Sequence, residues 1–557
     1  MALLEGLERH ADHLAIFCEA GRIQARPTGE SRLCTLLEKM IVEVSGPNGG
    51  AFHPKIWVLR YRPVSKGEPP RMRVLVLSRN LTRDQSWDLS LCVDGVITEQ
   101  QRGDNQPLVD LLRTLPAMVK RPPSAHVQGL VERLARDLNH TRWNRPRDWR
   151  SLSFAVNGIG RGNWFPARCA RLGIVAPFCD GGALVRLARL PSDGQPILVS
   201  RPVGLAAVHR NVFGRFKRVY VMDEACETED GDDLEADEQP SFSETGLHAK
   251  VFLQEKGHRT VITMGSGNAT TPALISGKNV EVFATISAPK RVFGTVNQIL
   301  GQEGFGRLLR EFHPDEIEPV DSETRDAEER VETARRMLAT GPPALHCDEL
   351  LSDGHPSRWR LTLDAGQPVD LDGIRNATAW PITMGESHSR DVLTALKAGD
   401  CCELAILSLV DITRFIAIRL EDRTGKASVL FTLGLQLTGT PDNRSQAVLR
   451  SVVDSRDAFL RYLRLLLVGQ GDPLGAWTAA SAAKGGSTRG RGVDQESILE
   501  DMVGALFRGR DRLDAVRRLV RRLEEAPDSG DSVIPEEFVE LWNSFRSVLG
   551  SEGLDHV

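Results

Sequence analysis

The sequence predicts an α/β protein in which one half-domain occurs twice, followed by a β-rich domain and a helical C-terminal region. Three observations lead there. Over the first 330 residues short apolar runs alternate with amphipathic ones, the pattern of strands with covering helices. Within that stretch a His-x-Lys strand, a further strand and a Ser-x-Asn turn occur in the same order twice, at 53–80 and at 248–268. Beyond residue 345 the helical pattern gives way to β-branched runs separated by turn residues.

Taken in order, strands are expected at 14–18, 41–44, 56–60, 73–77, 172–178, 196–199, 218–222, 250–253, 260–264 and 280–286. Helices are expected at 3–10, 31–39, 108–115, 127–138, 182–190 and 204–213. The second half opens with a strand and a helix, whereas the first opens directly in a helix. The first half is therefore expected to lack its opening strand, because the true start lies upstream or because that edge has been lost. Five regions follow: a first repeat (1–150), a second repeat (151–320), a charged helical linker (321–344), the β-rich domain (345–442) and the helical region (443–557). The second repeat carries an acidic insertion at 223–240, and the helical region a Gly/Ser/Ala-rich flexible linker at 469–495. Strands are expected at 358–363, 403–407, 414–420 and 428–437, and helices at 445–467 and 498–523.

Composition limits the possible functions. At 557 residues, with 41% hydrophobic and 26% charged residues, the chain is expected to be globular, soluble and multidomain. No apolar run approaches the ~18 residues of a membrane span, and the N-terminus lacks a secretory signal, so a cytoplasmic location is expected. The nine cysteines include no CxxC pair and read as reduced thiols. Taken alone, a net charge of −5 argues against a nucleic-acid partner. Ten of the acids fall between Asp223 and Glu238 with no Lys or Arg among them, and the rest of the chain carries a net +5. That loop reads either as a solvated insertion or as a mimic of nucleic acid that blocks a basic groove.

On a strand, residues i and i+2 face the same side, so His53 joins Lys55 and His248 joins Lys250. Each pair offers an imidazole and a cation to one spot, and Ser78 with Asn80, or Ser266 with Asn268, adds groups suited to phosphate oxygens. Two sets facing one another supply two imidazoles for acid–base work and two lysines for charge developing on phosphorus. No metal or other cofactor is needed. Trp57 continues the first face and reads as core or as a base-stacking ring. Arg79 reads as a phosphate contact or a solvated cation, and Trp87 as core or site wall. Residues 120–150 carry eight Lys/Arg against three acids, with Trp143 and Trp149 interleaved, which fits a nucleic-acid track or a solvated helix face. The C-terminal arginines at 508–522 read as a charged or protein-docking surface.

These residues resemble the phospholipase D superfamily, whose motif is His-x-Lys followed by Gly-Ser-x-Asn and an acidic or amide residue. The resemblance covers roughly residues 10–300. In the second half His248, Lys250, Gly265, Ser266 and Asn268 match, with Glu281 in the place of the residue that orients a histidine. Glu255 stands where many members carry Asp. In the first half His53, Lys55, Ser78 and Asn80 match, Leu77 replaces Gly, Arg60 replaces the Asp, and Asp88 is a candidate orienting acid. The departures look more like the nuclease and tyrosyl-DNA phosphodiesterase branch than the lipases. The resemblance implies α-β-α half-domains around one active site, with His53 attacking phosphorus, His248 protonating the leaving oxygen, and Ser78 and Ser266 binding substrate phosphate.

The expectation is a metal-independent phosphodiesterase acting on nucleic acid, DNA ahead of RNA. A looser likeness, without a diagnostic motif, is to phospholipase D-like proteins encoded beside helicases in bacterial defence and restriction loci. It implies helicase or other defence-protein partners through the C-terminal region. The alternative is a weakly active or inactive nucleic-acid-binding scaffold, and lipid hydrolysis ranks third.

Overall fold

The computed structural model describes the chain except residues 1–5, 7–9, 64–66, 81–85, 120–122, 161, 224–245, 314–321, 351–356, 469–494, 509–510, 525–532 and 550–557. The acidic loop, the 469–495 linker and most of the expected 3–10 helix lie outside the described residues. The chain divides into two compact units, one comprising residues 17–19 and 42–325 and the other residues 1–16, 20–41 and 326–557. Among the described residues no helix is long and apolar enough to cross a membrane.

The strands β1 (Ile16–Glu19) and β2 (Ile41–Val44) form a small two-stranded sheet. The unit of residues 42–325 is built on two larger sheets. The first is antiparallel, in the order β3 (Ile56–Tyr61), β4 (Arg71–Leu77), β5 (Ser90–Ile97), β6 (Thr141–Trp143). In β4 and β5 buried residues alternate with more exposed ones, as in a sheet with one face on the core. The helices α1 (Gln106–Thr114) and α2 (Ala125–Asn139) join β5 to β6. Both are amphipathic, burying Leu108, Leu111, Val127, Val131 and Leu138.

The second sheet has eight strands. It contains β7 (Ser151–Asn157), β8 (Arg171–Val175), β9 (Ile197–Val199), β10 (Arg218–Met222), β11 (Val251–Lys256), β12 (Arg259–Gly265), β13 (Glu281–Pro289) and β14 (Leu309–Glu311), in the order β14-β10-β9-β8-β11-β12-β13-β7. The strands β8, β9 and β10 are parallel, linked by α3 (Gly181–Leu187) and α4 (Pro202–Ala206), and β8 meets β11 antiparallel. Near-continuous burial along β8, β11 and β13 marks strands covered on both faces.

Several expectations change in detail. The helix expected at 204–213 divides into α4 and a 3-10 stretch at Arg210–Arg215, and the one expected at 31–39 forms as a 3-10 helix, Arg32–Lys39. The strands β5, β6, β7 and β14 were not foreseen. Asp94 and Gly95 weaken the β5 signal, yet Gly95 is required there, since a Cβ would lie 2.5 Å from Thr141 Cγ2. In the first sheet β3 is an edge, and among the described residues no strand beside it corresponds to β8, β9 or β10.

In the other unit α5 (Ser322–Thr340) leads into two four-stranded sheets. One is ordered β19 (Cys401–Leu407), β16 (Arg358–Asp364), β15 (Ala344–Leu350), β22 (Gln436–Thr438). The other is ordered β18 (Arg390–Asp391), β17 (Ile374–Pro381), β20 (Phe415–Asp422), β21 (Ser428–Gly434). Leu361, Leu404, Ile416 and Phe431 share one core with Val331 and Leu338 of α5. The helix expected at 445–467 is broken into α6 (Arg444–Val452) and α7 (Arg456–Val468). With α8 (Gln495–Arg508), α9 (Asp511–Glu524) and α10 (Glu536–Leu549), they enclose a separate core around Phe459, Leu463, Val516, Phe538 and Trp542.

Candidate active site

Each His-x-Lys triplet lies just before a strand, His53 and Lys55 before β3, His248 and Lys250 before β11. The turn after the next strand carries Ser78 or Ser266. Around them the same main-chain bonds form twice. The N–H of His53 donates to Val280 O at 3.0 Å, and that of His248 to Trp87 O at 2.8 Å. The N–H of Val280 donates to Ala51 O at 2.9 Å, and that of Trp87 to Gly246 O at 2.8 Å. The N–H of Ser78 donates to Leu89 O at 3.1 Å, and that of Ser266 to Val282 O at 3.0 Å. In this pattern Asp88 holds the place of Glu281, and each histidine loop pairs with the acid-bearing segment of the other half.

The serines repeat the pattern in their side chains. Ser78 Oγ donates to Asp88 Oδ1 and accepts from Leu89 N–H at 3.2 Å. Ser266 Oγ donates to Glu281 Oε2 and accepts from Val282 N–H at 3.0 Å. Both serines are fully buried. With their hydroxyls bonded to Asp88 and Glu281 and their side chains buried, the serines are placed to hold the carboxylates, beside the substrate-phosphate contact expected of them.

The two imidazoles differ in partner. His53 Nδ1 lies 3.0 Å from Glu281 Oε2, and Glu281 is 1% exposed. A carboxylate only accepts, so His53 Nδ1 carries a proton, and in the neutral form of the ring the lone pair is on Nε2. His248 Nδ1 lies 3.2 Å from Lys250 Nζ. An ammonium only donates, so His248 Nδ1 accepts and the proton of the neutral ring sits on Nε2. The lysines are tethered as well: Lys250 Nζ donates to His248 O at 2.8 Å and to Ser78 O at 3.0 Å, and Lys55 Nζ donates to His53 O at 3.2 Å.

Burial pushes the Lys55 ammonium down to about 8, opposed by Glu281, Glu19 and Asp88. Burial and then the Lys55 charge push Lys250 down to about 7, opposed by Glu281 and Asp88 and reinforced by Arg201. Both lysines thus feel both acids, and the four groups occupy one electrostatic neighbourhood. Burial opposes ionisation of Glu281, but the charge and hydrogen bond of His53, the Ser266 hydroxyl and Lys55 outweigh it and hold the carboxyl below its ordinary value.

Of the other candidates, Asn80 is exposed, and Asn268 Oδ1 is buried with no hydrogen-bond partner among the described residues. Arg79 Nε lies 3.8 Å from Asp88 Oδ2. Trp57 is 39% exposed on β3, which corrects the core reading, and Trp87 contributes its main chain to the His248 loop. Glu255 and Arg60 serve the scaffold: Glu255 accepts from Val296 N–H and pairs with Lys290, and Arg60 pairs with Asp137. Trp143 donates to Asn105 Oδ1 at 2.6 Å and packs edge-on to Phe154, and Trp149 packs on Phe293, so both rings are engaged by protein. Among the described residues no group of three or more His, Cys, Asp or Glu is arranged to hold a metal.

Asn279 was missed. Its Oδ1 accepts from Ala51 N–H at 3.1 Å and its Nδ2 lies 3.4 Å from Glu281 Oε1, joining the acid to the His53 loop. Its only signal in sequence is a position two residues before Glu281.

No family model matches the chain, and no curated protein matches it. Among solved structures it is similar to the crystal structure of phosphatidylserine synthase from Haemophilus influenzae Rd KW20, at 14% identity and a TM-score of 0.30, over 60% of this chain and 83% of that one.

Proposed function

We propose that the protein is a metal-independent phosphodiesterase of phospholipase D type acting on nucleic acid, with two half-domains sharing one site. The observation that carries this reading is the twofold hydrogen-bond pattern in which His53 Nδ1 meets Glu281 and His248 Nδ1 meets Lys250. His53 Nε2 attacks phosphorus and forms a P–N bond. The P–O bond to the leaving group breaks, and His248 Nε2–H protonates the departing oxygen while its Nδ1 takes a proton from the Lys250 ammonium 3.2 Å away, so the ring stays neutral. Glu281 holds His53 Nδ1–H and stabilises the charge on the ring. Water then attacks phosphorus, His248 takes its proton, and the P–N bond breaks. Lys55 and Lys250 stabilise the non-bridging oxygens, and Asn80 and Asn268 bind them. The resemblance in the motifs and the net +5 outside the acidic loop support a nucleic-acid substrate. A place in a defence or restriction system, with a helicase partner, follows from the looser resemblance and is tested by co-purification.

The enzymatic test incubates the protein with labelled single-stranded DNA, double-stranded DNA and RNA in EDTA. Cleavage is expected, and His53→Ala and His248→Ala should abolish repeated turnover. A base-stable, acid-labile phosphoprotein should accumulate when His248 is replaced. Binding without cleavage by the unsubstituted protein would replace the enzyme by a scaffold.

A further inference from the structure

The repeated core has one asymmetry. The first sheet ends at β3, whereas β11 is flanked by β8 and the parallel strands beyond it. Val175 of β8 pairs with Val251 of β11 in antiparallel register, so residues 176–178 continue alongside Lys250 and toward His248. Cys179 then bridges to Ala269, and Asp180 N–H donates to Ala269 O at 3.2 Å, beside Asn268. The chain leaving β9 is locked to the same segment. Ser200 Oγ donates to Pro177 O at 3.3 Å, and a Cβ on Gly204 would lie 2.3 Å from Pro177 O and 3.3 Å from Phe178 Cα. Phe178 is held at this rim 43% exposed, and Arg201, partly buried, acts electrostatically on Lys250.

In-line displacement places the leaving group opposite His53, on the His248 side of phosphorus, and this wall lies on that side. We propose that Phe178 and Arg201 form a leaving-group subsite for a nucleotide, its base stacked on the Phe178 ring and the next phosphate of the strand paired with Arg201. The inference rests on the proposed function. An aromatic face beside a guanidinium matches the alternation of base and phosphate along a strand, and stacking of this kind tolerates any base. A lipid alcohol supplies neither the ring nor the second anion.

The test measures kcat/KM on trithymidylate and on bis(p-nitrophenyl) phosphate, which has no second phosphate. Arg201→Met is expected to lower the ratio of the two about tenfold and Arg201→Lys to restore most of it, with thermal melting confirming the fold. Phe178→Ala is expected to lower kcat/KM on trithymidylate about tenfold and to act several-fold less on an analogue lacking the leaving-side base. An unchanged ratio in Arg201→Met, or an equal effect of Phe178→Ala with and without that base, overturns the subsite alone. Failure of the unsubstituted protein to turn over either substrate overturns the subsite and the proposed function together.

Discussion

At the residue scale, the site depends on which proton each buried group holds. Glu281→Ala removes the acceptor that fixes the His53 tautomer, and kcat should fall about 10²–10³-fold with little change in KM, measured on any cleaved substrate. The lysines carry an opposite cost. Lys250 has its pKa lowered to about 7, so between there and its unfolded value near 10.5 the unfolded chain binds the extra proton. Stability contributed by this residue therefore rises with pH above about 7, and below it the buried ammonium is a burden. Lys250→Met should raise the melting temperature at pH 6 by a few degrees while abolishing turnover, as scanning calorimetry and an activity assay will show. Activity follows the opposite course. As pH passes about 7 to 8, Lys250 and Lys55 lose the charge that the proposed mechanism assigns to phosphate binding, and kcat/KM should decline on that alkaline limb. The sequence pointed to the histidines, the lysines and Glu281 because the motif occurs twice, and the structure brings His53 to Glu281 and His248 to Lys250. It hid the bonds from the serines to the acids, since a hydroxyl suited to phosphate is equally suited to a carboxylate.

At the scale of elements, the divergence between the two Ser-x-Asn turns has a packing cause. A Cβ on Gly267 would lie 2.3 Å from the Phe283 ring. The position equivalent to Phe283 in the first half is Ser90, which has no ring, and there Arg79 replaces the glycine. Gly267→Ala should displace Phe283, lowering both the melting temperature and kcat, whereas Arg79→Ala should leave the melting temperature nearly unchanged; paired melting curves check this. Strands with continuous apolar runs, such as β8 and β13, were legible from sequence. The parts missed include β5, where Asp94 and Gly95 weaken the signal, the three-residue β6 and β14, too short to show a period, and β7, β15, β17 and β18. Helix breaks were missed for a similar reason: periodicity runs through 445–467, while the chain turns at residues 453–455 between α6 and α7.

At the scale of the whole molecule, two units with separate cores should unfold as two transitions. Asp422 is fully buried, and Arg330 donates to it at 2.6 Å, with Thr424 completing its shell. Arg330→Met should lower the transition of the unit that contains β20 and leave the other in place, while Lys250→Met shifts the other. Calorimetry on the two variants assigns each transition. The sequence anticipated the change from α/β to β-rich to helical order along the chain. It could not show that residues 20–41 belong with the C-terminal unit, because a segment that returns to a distant partner leaves no periodic trace.

The exchange of histidine loops between the halves also bears on how activity is gained during folding. His53 meets its acid across 228 residues of chain, and Lys250 reaches Ser78 across 172. Closing loops of that length costs entropy before any local contact repays it. In a refolding experiment secondary structure should therefore return first and the proposed turnover last, so that the appearance of activity is a clock for the final docking of one half on the other.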